Sequence, residues 1–180
     1  INPPDYNQPD HLNHPYFVPY NPNPQWSNDF GGVHYNSGII NKIMYLVIAG
    51  DIHYGIEVFP LEENLNASRE VAANIWFAWS SYYLEPEDDF DIGREKMLQA
   101  CYDLYPDQYN YYQTVANAWA STGIGSEIVF LLGDLNGDQV INILDIIELV
   151  NIILSGMSDE TQLYTGDLNS DGSINILDII

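Results

Sequence analysis

Basic side chains are scarce in this sequence. Its 180 residues contain four Lys and Arg against 26 Asp and Glu, which gives a formal net charge of −22. A chain so poor in cationic groups cannot form the positive patch that binds a nucleic-acid backbone or an anionic membrane surface. The imbalance is greatest in residues 126–180, which carry ten acidic residues and no Lys or Arg. We therefore expect a cation to be the partner of this acidic segment.

Cysteine and long apolar runs are scarce as well. Cys101 is the only cysteine, which excludes an internal disulfide and a Cys-rich zinc site. Because it lies in an apolar helical pattern, we expect a buried, unreactive thiol. The longest apolar run, residues 128–132, is too short to span a bilayer. No signal peptide is visible, and we interpret the chain, which begins at Ile1 and ends at Ile180, as part of a longer protein.

Apolar residues at helical spacing predict four helices in the first 125 residues. We expect them between Ser37 and Gly50 and over residues 68–84, 91–104 and 108–121, with a loop over 51–67. The aromatic residues of the second and fourth helices are expected to be core. The short connections favour a small helical bundle without a sheet of consequence. Residues 1–30 are expected to be irregular, and His11, His14 and His53 to be structural or on the surface.

The end of the chain contains a repeat. Residues 133–147 (GDLNGDQVINILDII) recur as residues 166–180 (GDLNSDGSINILDII), with 12 of 15 positions identical. A twelve-residue calcium loop supplies oxygen ligands from positions 1, 3, 5, 7, 9 and 12. In the first copy these positions are Asp134, Asn136, Asp138, the carbonyl of Val140, Asn142 and Asp145. In the second copy they are Asp167, Asn169, Asp171, the carbonyl of Ser173, Asn175 and Asp178.

The other loop positions add detail. Position 6 favours glycine because the chain turns sharply there. Gly172 obeys this rule and Gln139 does not, so we expect a strained or weaker first loop. At position 8, Ile141 and Ile174 are expected to hold each loop on the core. We predict no helix before either loop, so each repeat is a loop followed by a helix, which counts against a sensor of the calmodulin type.

This duplicated loop and helix, over about residues 132–180, resembles the type I dockerin module. The resemblance implies that the module folds on two calcium ions and docks on a cohesin through the helix after each loop. It also implies that loop positions 10 and 11 help to select the partner. These are Ile143 and Leu144 in one copy and Ile176 and Leu177 in the other, where many dockerins carry a hydroxyl. The alternative is that these four apolar residues pack inward.

A second group of candidate functional residues lies in residues 28–42, NDFGGVHYNSGIINK. Gly31 and Gly32 allow a tight turn at the entrance of a helix, and this turn places His34 where it can reach into a cleft. Asp29 can fold back and accept a hydrogen bond from one ring nitrogen, which fixes the tautomer. A cationic imidazole so held stabilises a developing oxyanion. From spacing alone, a structural histidine is the alternative.

The segment GGVHYNSGIINK, followed by YL, resembles the part of the thermolysin-like neutral zinc metallopeptidases that carries their second active-site histidine. The likeness covers about residues 5–125 and continues through HYGI, LEPEDDF and ACYDLYP. It implies that His34 hydrogen-bonds the tetrahedral oxyanion and that Asp29 orients it. Phe30 departs from the Asn often found there. No H-E-x-x-H occurs in these 180 residues, so the zinc ligands and the general-base Glu are expected upstream.

The sequence therefore predicts a mainly α protein. Residues 1–125 are predicted to be the C-terminal helical part of a thermolysin-like catalytic domain, residues 126–132 a linker, and residues 133–180 an incomplete dockerin-like calcium module. The leading hypothesis is part of a secreted zinc metalloendopeptidase, inactive alone, with a polypeptide substrate and a tether to a cohesin-like protein or surface scaffold. The alternative is a non-catalytic, calcium-dependent anchoring protein with a degenerate or incomplete peptidase domain. Neither hypothesis involves nucleic acid or membrane insertion.

Overall fold

The computed structural model describes residues 3–21, 23–106, 108–158 and 160–179. The chain divides into two compact units, residues 1–128 and 129–180. The elements of the first unit are α1 (Asp29–Gly32), α2 (Ser37–Ala49), β1 (Asp51–His53), β2 (Ile56–Val58), α3 (Leu65–Ala78), α4 (Phe90–Leu104) and α5 (Tyr109–Ser121), with 3-10 turns at Pro3–Tyr6 and Trp26–Asn28. The second unit contains α6 (Ile143–Ser155), α7 (Glu160–Gly166) and a 3-10 turn at Ile176–Asp178. The predicted mainly helical class is confirmed.

The core of the first unit lies between helices α2 to α5. Trp79 and Trp119 are both buried and meet edge to face, with ring centroids 6.0 Å apart. Their indole N–H groups are satisfied, because Trp79 donates to the Gly93 carbonyl at 2.8 Å and Trp119 donates to Met97 Sδ at 3.2 Å. Cys101 is buried in the same core, and its burial raises the pKa of the thiol to about 12. The prediction of an unreactive cysteine is confirmed.

Helix α3 begins earlier than its predicted start at Ser68. The Asn64 side chain caps the helix by accepting hydrogen bonds from the amides of Asn66 and Ala67, at 3.0 and 3.2 Å. Ser68 is instead fully buried and donates its hydroxyl to the Ile48 carbonyl at 2.7 Å. The helix therefore starts where the better-placed Asn satisfies its free amides.

The end of α3 also differs from a regular helix. A π-helical turn over Trp79–Tyr83 follows it. Because a π turn holds more residues than an α turn, it moves Tyr82 away from the face that Trp79 shares with the core. Tyr82 is exposed, as is Phe77 in the last turn of α3, and the two rings meet edge to face with centroids 5.8 Å apart. The prediction that these two aromatic residues belong to the core is wrong.

The predicted loop over residues 51–67 contains a small hairpin. Strands β1 and β2 pair antiparallel, with Asp51 opposite Val58 and His53 opposite Ile56. Each strand has three residues, too few for an alternating pattern to be visible in the sequence. His53 is buried and its Nε2 lies 3.1 Å from the Asp10 carbonyl oxygen. Of the two expected places for His53, structural or on the surface, the structure shows the first.

The second unit has a small core of its own. Leu135, Leu149 and Ile152 are buried together, and Ile174 packs against them. Ile141, at the position equivalent to Ile174, is exposed instead. The sequence prediction at loop position 8 thus holds for the second copy and is wrong for the first.

A short helix enters the second loop, contrary to expectation. Helix α7 ends at Gly166, next to the first ligand position. Thr165 stabilises it by donating its hydroxyl to the Thr161 carbonyl at 3.0 Å. At seven residues α7 is too short to show a clear helical period in the sequence. In the part of the chain that the structure describes, no helix has the length and apolar character needed to cross a membrane.

Candidate active-site turn and acidic loops

The turn before His34 has an unusual backbone. Asp29, Phe30, Gly31 and Gly32 are four successive residues with positive φ, at 54°, 51°, 84° and 88°. The glycines adopt this region freely, whereas each of the other two residues costs about 1–2 kcal/mol there. The Asn28 side chain holds the turn by accepting a hydrogen bond from the Gly31 amide at 3.3 Å. The DFGG sequence therefore forms a compact loop, not a regular helical turn.

This turn brings the Asp29 carboxylate onto the His34 ring. Asp29 Oδ1 lies 2.5 Å from His34 Nδ1, and Oδ2 accepts the amides of His34 and Tyr35 at 2.8 and 3.0 Å. Since an ionised carboxylate only accepts hydrogen bonds, the contact puts a proton on Nδ1. The side chain of Asp29 is 15% exposed and that of His34 is 73% exposed. The imidazole is thus fixed at one nitrogen and open to solvent.

The electrostatics of this pair favour an ionised carboxylate. Partial burial on its own raises the pKa of the Asp29 carboxyl, but hydrogen bonds from the Tyr35 amide and from the His34 ring and amide outweigh it. They hold the pKa of Asp29 below its ordinary value. At neutral pH Asp29 therefore carries a negative charge next to the ring that it orients.

Residues of the irregular N-terminal segment hold the turn from outside. The Asn36 amide group pairs with the backbone of Val18 in both directions, at 3.0 and 2.8 Å. Gln8 donates its side-chain amide to the His34 carbonyl at 2.9 Å, and Ser37 donates its hydroxyl to the same oxygen at 2.6 Å. Sequence reasoning missed Gln8 and Val18, because residues 1–30 have no periodicity that would place them. Ser37 supports the histidine instead of capping α2 through its side chain.

The two acidic loops share one hydrogen-bond frame. At position 1 of the first loop, the Asp134 carboxylate accepts the amides of Gly137, Asp138 and Gln139 at 2.8, 3.2 and 2.8 Å. At position 1 of the second loop, Asp167 accepts the amides of Asp171 and Gly172 at 3.0 and 2.7 Å. The repeat in the sequence is therefore a repeat in structure.

The carboxylates at position 12 close both loops in the same way. Asp145 accepts the Leu135 amide at 3.0 Å and the Asn142 amide at 2.7 Å. Asp178 accepts the Asn169 and Asn175 amides at 3.2 and 2.9 Å. The side chains at position 9 complete each capping box by accepting the amide of position 11, that is Leu144 in the first copy and Leu177 in the second, at 2.8 and 2.9 Å. Each loop thereby ends in a capped helical turn.

The unit that contains the two acidic loops has no basic side chain of its own. Asp134, Asp145 and Asp178 are buried, and residues 129–180 contain no Lys, Arg or His. Burial raises the pKa of the Asp145 carboxyl, but backbone amides, first that of Asn142, outweigh this effect and lower the pKa below its ordinary value. Asp145 is therefore buried as an anion. Such an anion is stabilised by backbone donors and by a cation, if one binds.

At position 5 of each loop, the carboxylate accepts hydrogen bonds from other groups of the same loop. Asp138 accepts the Val140 amide at 2.9 Å and receives the Asn136 side-chain amide at 3.2 Å. Asp171 accepts the Ser173 amide at 3.0 Å. Among the described residues, no three His, Cys, Asp or Glu side chains are gathered as a metal site. The ligand sets contain only carboxylate, amide and carbonyl oxygens, which is the chemistry that calcium selects, and this donor set fits calcium.

The apolar residues at loop positions 10 and 11 face solvent. Ile143, Leu144, Ile176 and Leu177 are each between 51% and 67% exposed. The alternative that they pack inward is therefore wrong. Ile147, one turn further along α6, is exposed as well. Their role in partner binding stays a prediction.

Two family models match the chain. The model described as thermolysin metallopeptidase, alpha-helical domain, matches residues 1–124, and the model described as dockerin type I domain matches residues 132–180. Among curated relatives, a thermolysin of Alicyclobacillus acidocaldarius and a bacillolysin of Bacillus caldolyticus are each 34% identical over 122 residues. Those matches cover 68% of this chain and 20% of each relative. Neutral protease B of Bacillus subtilis is 32% identical over 98 residues, 54% of this chain and 17% of that protein. The chain thus spans about a fifth of the length of the relatives.

Proposed function

Because the chain belongs to the thermolysin metallopeptidase family through its alpha-helical domain, we propose that it forms one wall of the active-site cleft of a zinc-dependent endopeptidase. In this proposal residues 1–125 complete the catalytic domain, residues 126–132 form a linker, and residues 133–180 form a dockerin-like tether. The observation that carries the catalytic part is the contact between Asp29 and His34, because it leaves an exposed imidazole held at one nitrogen.

His34 acts as a hydrogen-bond donor to the anion that forms when water adds to a peptide carbonyl. With Nδ1 bound to Asp29, its Nε2 is the nitrogen that faces substrate, and an imidazolium donates from both nitrogens. Asp29 does not touch substrate. It keeps the ring in one orientation, so the ring does not have to be reorganised during the reaction.

Zinc has no ligand set among the described residues of this chain. The residues that the structure describes therefore do not fit this metal. We propose that its ligands and the general base belong to another part of the complete protein, of which this chain corresponds to about a fifth by comparison with its relatives.

Calcium is proposed to hold the dockerin-like module together. In the first loop Asp134, Asn136, Asp138, the Val140 carbonyl, Asn142 and Asp145 would bind it. In the second loop Asp167, Asn169, Asp171, the Ser173 carbonyl, Asn175 and Asp178 would do so. The ion would compensate three carboxylates in each loop that have no basic side chain near them in sequence. The oxygen ligands of the two loops and their negative charge support this proposal.

The tether is proposed to bind a cohesin-like domain through its exposed apolar pairs. Ile143 and Leu144 project at the start of α6, and Ile176 and Leu177 project at the equivalent place of the second copy. Exposed aliphatic pairs of this kind gain free energy when a partner covers them. A protein that carries such a module and cleaves peptide bonds is expected to work outside the cell or at its surface.

The test of the enzymatic proposal is hydrolysis by the complete protein. We expect it to cleave an internally quenched peptide, to lose this activity with 1,10-phenanthroline, and to regain it when zinc is added back. If the pure, folded protein cleaves no peptide in a broad library, the proposal is wrong and the non-catalytic anchoring protein is the better description.

A further inference from the structure

An exposed pair of aromatic rings lies on the turn that carries the active-site histidine. Trp26 is 82% exposed and Phe30 nearly half exposed, and their rings meet edge to face with centroids 5.5 Å apart. Neither residue belongs to the hydrophobic core of the first unit. Phe30 directly follows Asp29, which binds the His34 ring. The rings and the imidazole are therefore presented by the same short segment of chain.

The backbone at Phe30 is costly, and the fold does not require an aromatic residue there. Its φ of 51° lies in the left-handed region, where a bulky residue costs about 1–2 kcal/mol. Glycine would adopt this conformation without that cost. The ring gains little in return from the fold, because it is half in solvent and packs on another exposed ring. Strained residues of this kind are concentrated at functional sites.

Hydrogen bonds hold this aromatic pair in a defined position. The Gln25 carbonyl accepts the amides of Asn28 and Phe30 at 3.0 and 2.8 Å. The Asn28 side chain accepts the Gln25 amide at 2.8 Å and donates to the Asn23 carbonyl at 3.0 Å. Trp26 lies within the turn that these bonds close. A ligand side chain would thus meet two rings carried by a backbone that is already ordered.

We propose that Trp26 and Phe30 form a substrate subsite that takes an aromatic or large apolar side chain of the polypeptide, next to the position where His34 acts; this inference rests on the proposed peptidase function. The two rings present an uncharged apolar surface on a strongly acidic chain. Because successive residues of an extended peptide are 3.3–3.6 Å apart, a substrate whose carbonyl reaches His34 would have a neighbouring side chain close enough to lie over the same turn. The subsite selects that side chain by apolar and ring contact.

The test measures selectivity in the complete, metal-loaded protein. An alanine-rich quenched peptide is made with Phe placed in turn at each of the four positions around the cleaved bond. For the wild-type protein we expect kcat/KM to be higher with Phe than with Ala at one of these positions. Trp26→Ala and Phe30→Gly should each lower that ratio roughly tenfold, the size of one aromatic contact. Phe30→Gly also keeps the left-handed turn, so its melting temperature should not fall.

The matched control is the second exposed aromatic pair, Phe77 and Tyr82, which also meets edge to face but lies at the end of α3. Phe77→Ala should leave the ratio unchanged. The inference is overturned if no position prefers Phe, if the ratio survives in both Trp26→Ala and Phe30→Gly, or if Phe77→Ala lowers it equally.

A separate arm distinguishes this inference from the function on which it rests. If the wild-type protein cleaves no peptide, the peptidase proposal fails, and binding of the same peptides is measured by calorimetry. Tighter binding of the Phe peptide than of the Ala peptide, lost in Trp26→Ala, supports the aromatic subsite. Equal binding of both peptides to the wild-type protein, or no binding of either, rejects it.

Discussion

Gln139 and Gly172 occupy the same position of the two repeated loops and share a left-handed backbone, with φ of 66° and 83°. The sequence predicts strain at Gln139 because this position of a calcium loop favours glycine, and the structure places it in the conformation that causes such strain. At position 4 the glycine is in the first loop instead: Gly137 has a φ of 74°, and its equivalent in the second loop, Ser170, has a φ of 60°. Each loop therefore contains one residue other than glycine in a region that glycine adopts more easily.

Replacing Gln139 by Gly should stabilise the second unit. The left-handed conformation costs a residue with a Cβ about 1–2 kcal/mol, and the greater freedom of glycine in the unfolded chain offsets part of this gain. We expect a net increase of about 0.5–1 kcal/mol in the free energy of unfolding, measured by chemical denaturation at saturating calcium. The control Gln139→Ala keeps the Cβ and should give no such increase. A Gly variant less stable than the Ala variant would contradict the strain at this position.

Removal of calcium should destabilise the second unit selectively. If calcium binds the folded loops at a hundred times its dissociation constant, each ion stabilises them by about 2.7 kcal/mol. We expect a chelator to lower the melting temperature of the second unit in calorimetry. Asp145→Asn should reduce this calcium dependence because it removes a buried carboxylate from a ligand position. Glu148→Gln, a control outside the ligand positions, should keep the dependence, and a melting curve that ignores the chelator would reject calcium as the stabilising ion.

The stability of the first unit should fall at mildly acidic pH. Burial is the first cause that lowers the pKa of His53 and of His11 below the ordinary value of 6.5. The unfolded chain then binds protons more readily than the folded unit, so stability is full above about pH 6.5 and is lost as the pH falls below it. We expect a lower melting temperature at pH 5 than at pH 7.

The glutamine variant of His53 tests the source of that pH dependence. Gln does not titrate and its amide can still donate to the Asp10 carbonyl, as His53 Nε2 does. His53→Gln should therefore reduce the difference in melting temperature between pH 7 and pH 5. An unchanged difference in the His53 variant would show that other groups cause it.

The exposed apolar pairs should matter for binding and not for folding. Ile143→Ser together with Ile176→Ser removes two side chains that face solvent, so the melting temperature should hardly change. Affinity for a cohesin domain, chosen from a panel by calorimetry, should fall at least tenfold, because buried aliphatic contacts at a partner are lost. Val129→Ser, a control at another exposed position, should bind as the wild type does. Equal affinity of the double variant would remove these residues from the interface.

Sequence periodicity predicted the long helices well, because their apolar faces are packed by residues three and four apart. It failed where the structure depends on contacts between distant segments. The hairpin at 51–58 is too short to show its period, and the buried His53 depends on Asp10, which lies 43 residues away. The start of α3 was misplaced because two polar residues compete as caps and only one is in reach of the free amides.

At the candidate sites, too, features set by neighbouring residues could be predicted from the sequence, and features set by distant residues could not. The repeat in the sequence predicted two equivalent loops, and their hydrogen-bond frames are indeed alike, because the pattern is local and occurs twice. The sequence did not show which face of α6 is buried, because this helix is apolar nearly all round. In the structure Leu149 and Ile152 are buried, whereas Ile143 and Leu144 are exposed. The turn at Asp29 could be expected from its glycines, but its support by Gln8 and Val18 could not.

We propose that His34, held by Asp29, stabilises the anion formed during peptide hydrolysis. Steady-state kinetics of the complete protein, with His34→Ala beside the half-buried control His14→Ala, test this role. We predict that His34→Ala lowers kcat by roughly 100- to 1000-fold with little change in KM, as loss of one oxyanion donor does, whereas His14→Ala keeps wild-type turnover. A His34→Ala enzyme with the wild-type kcat would contradict the claim.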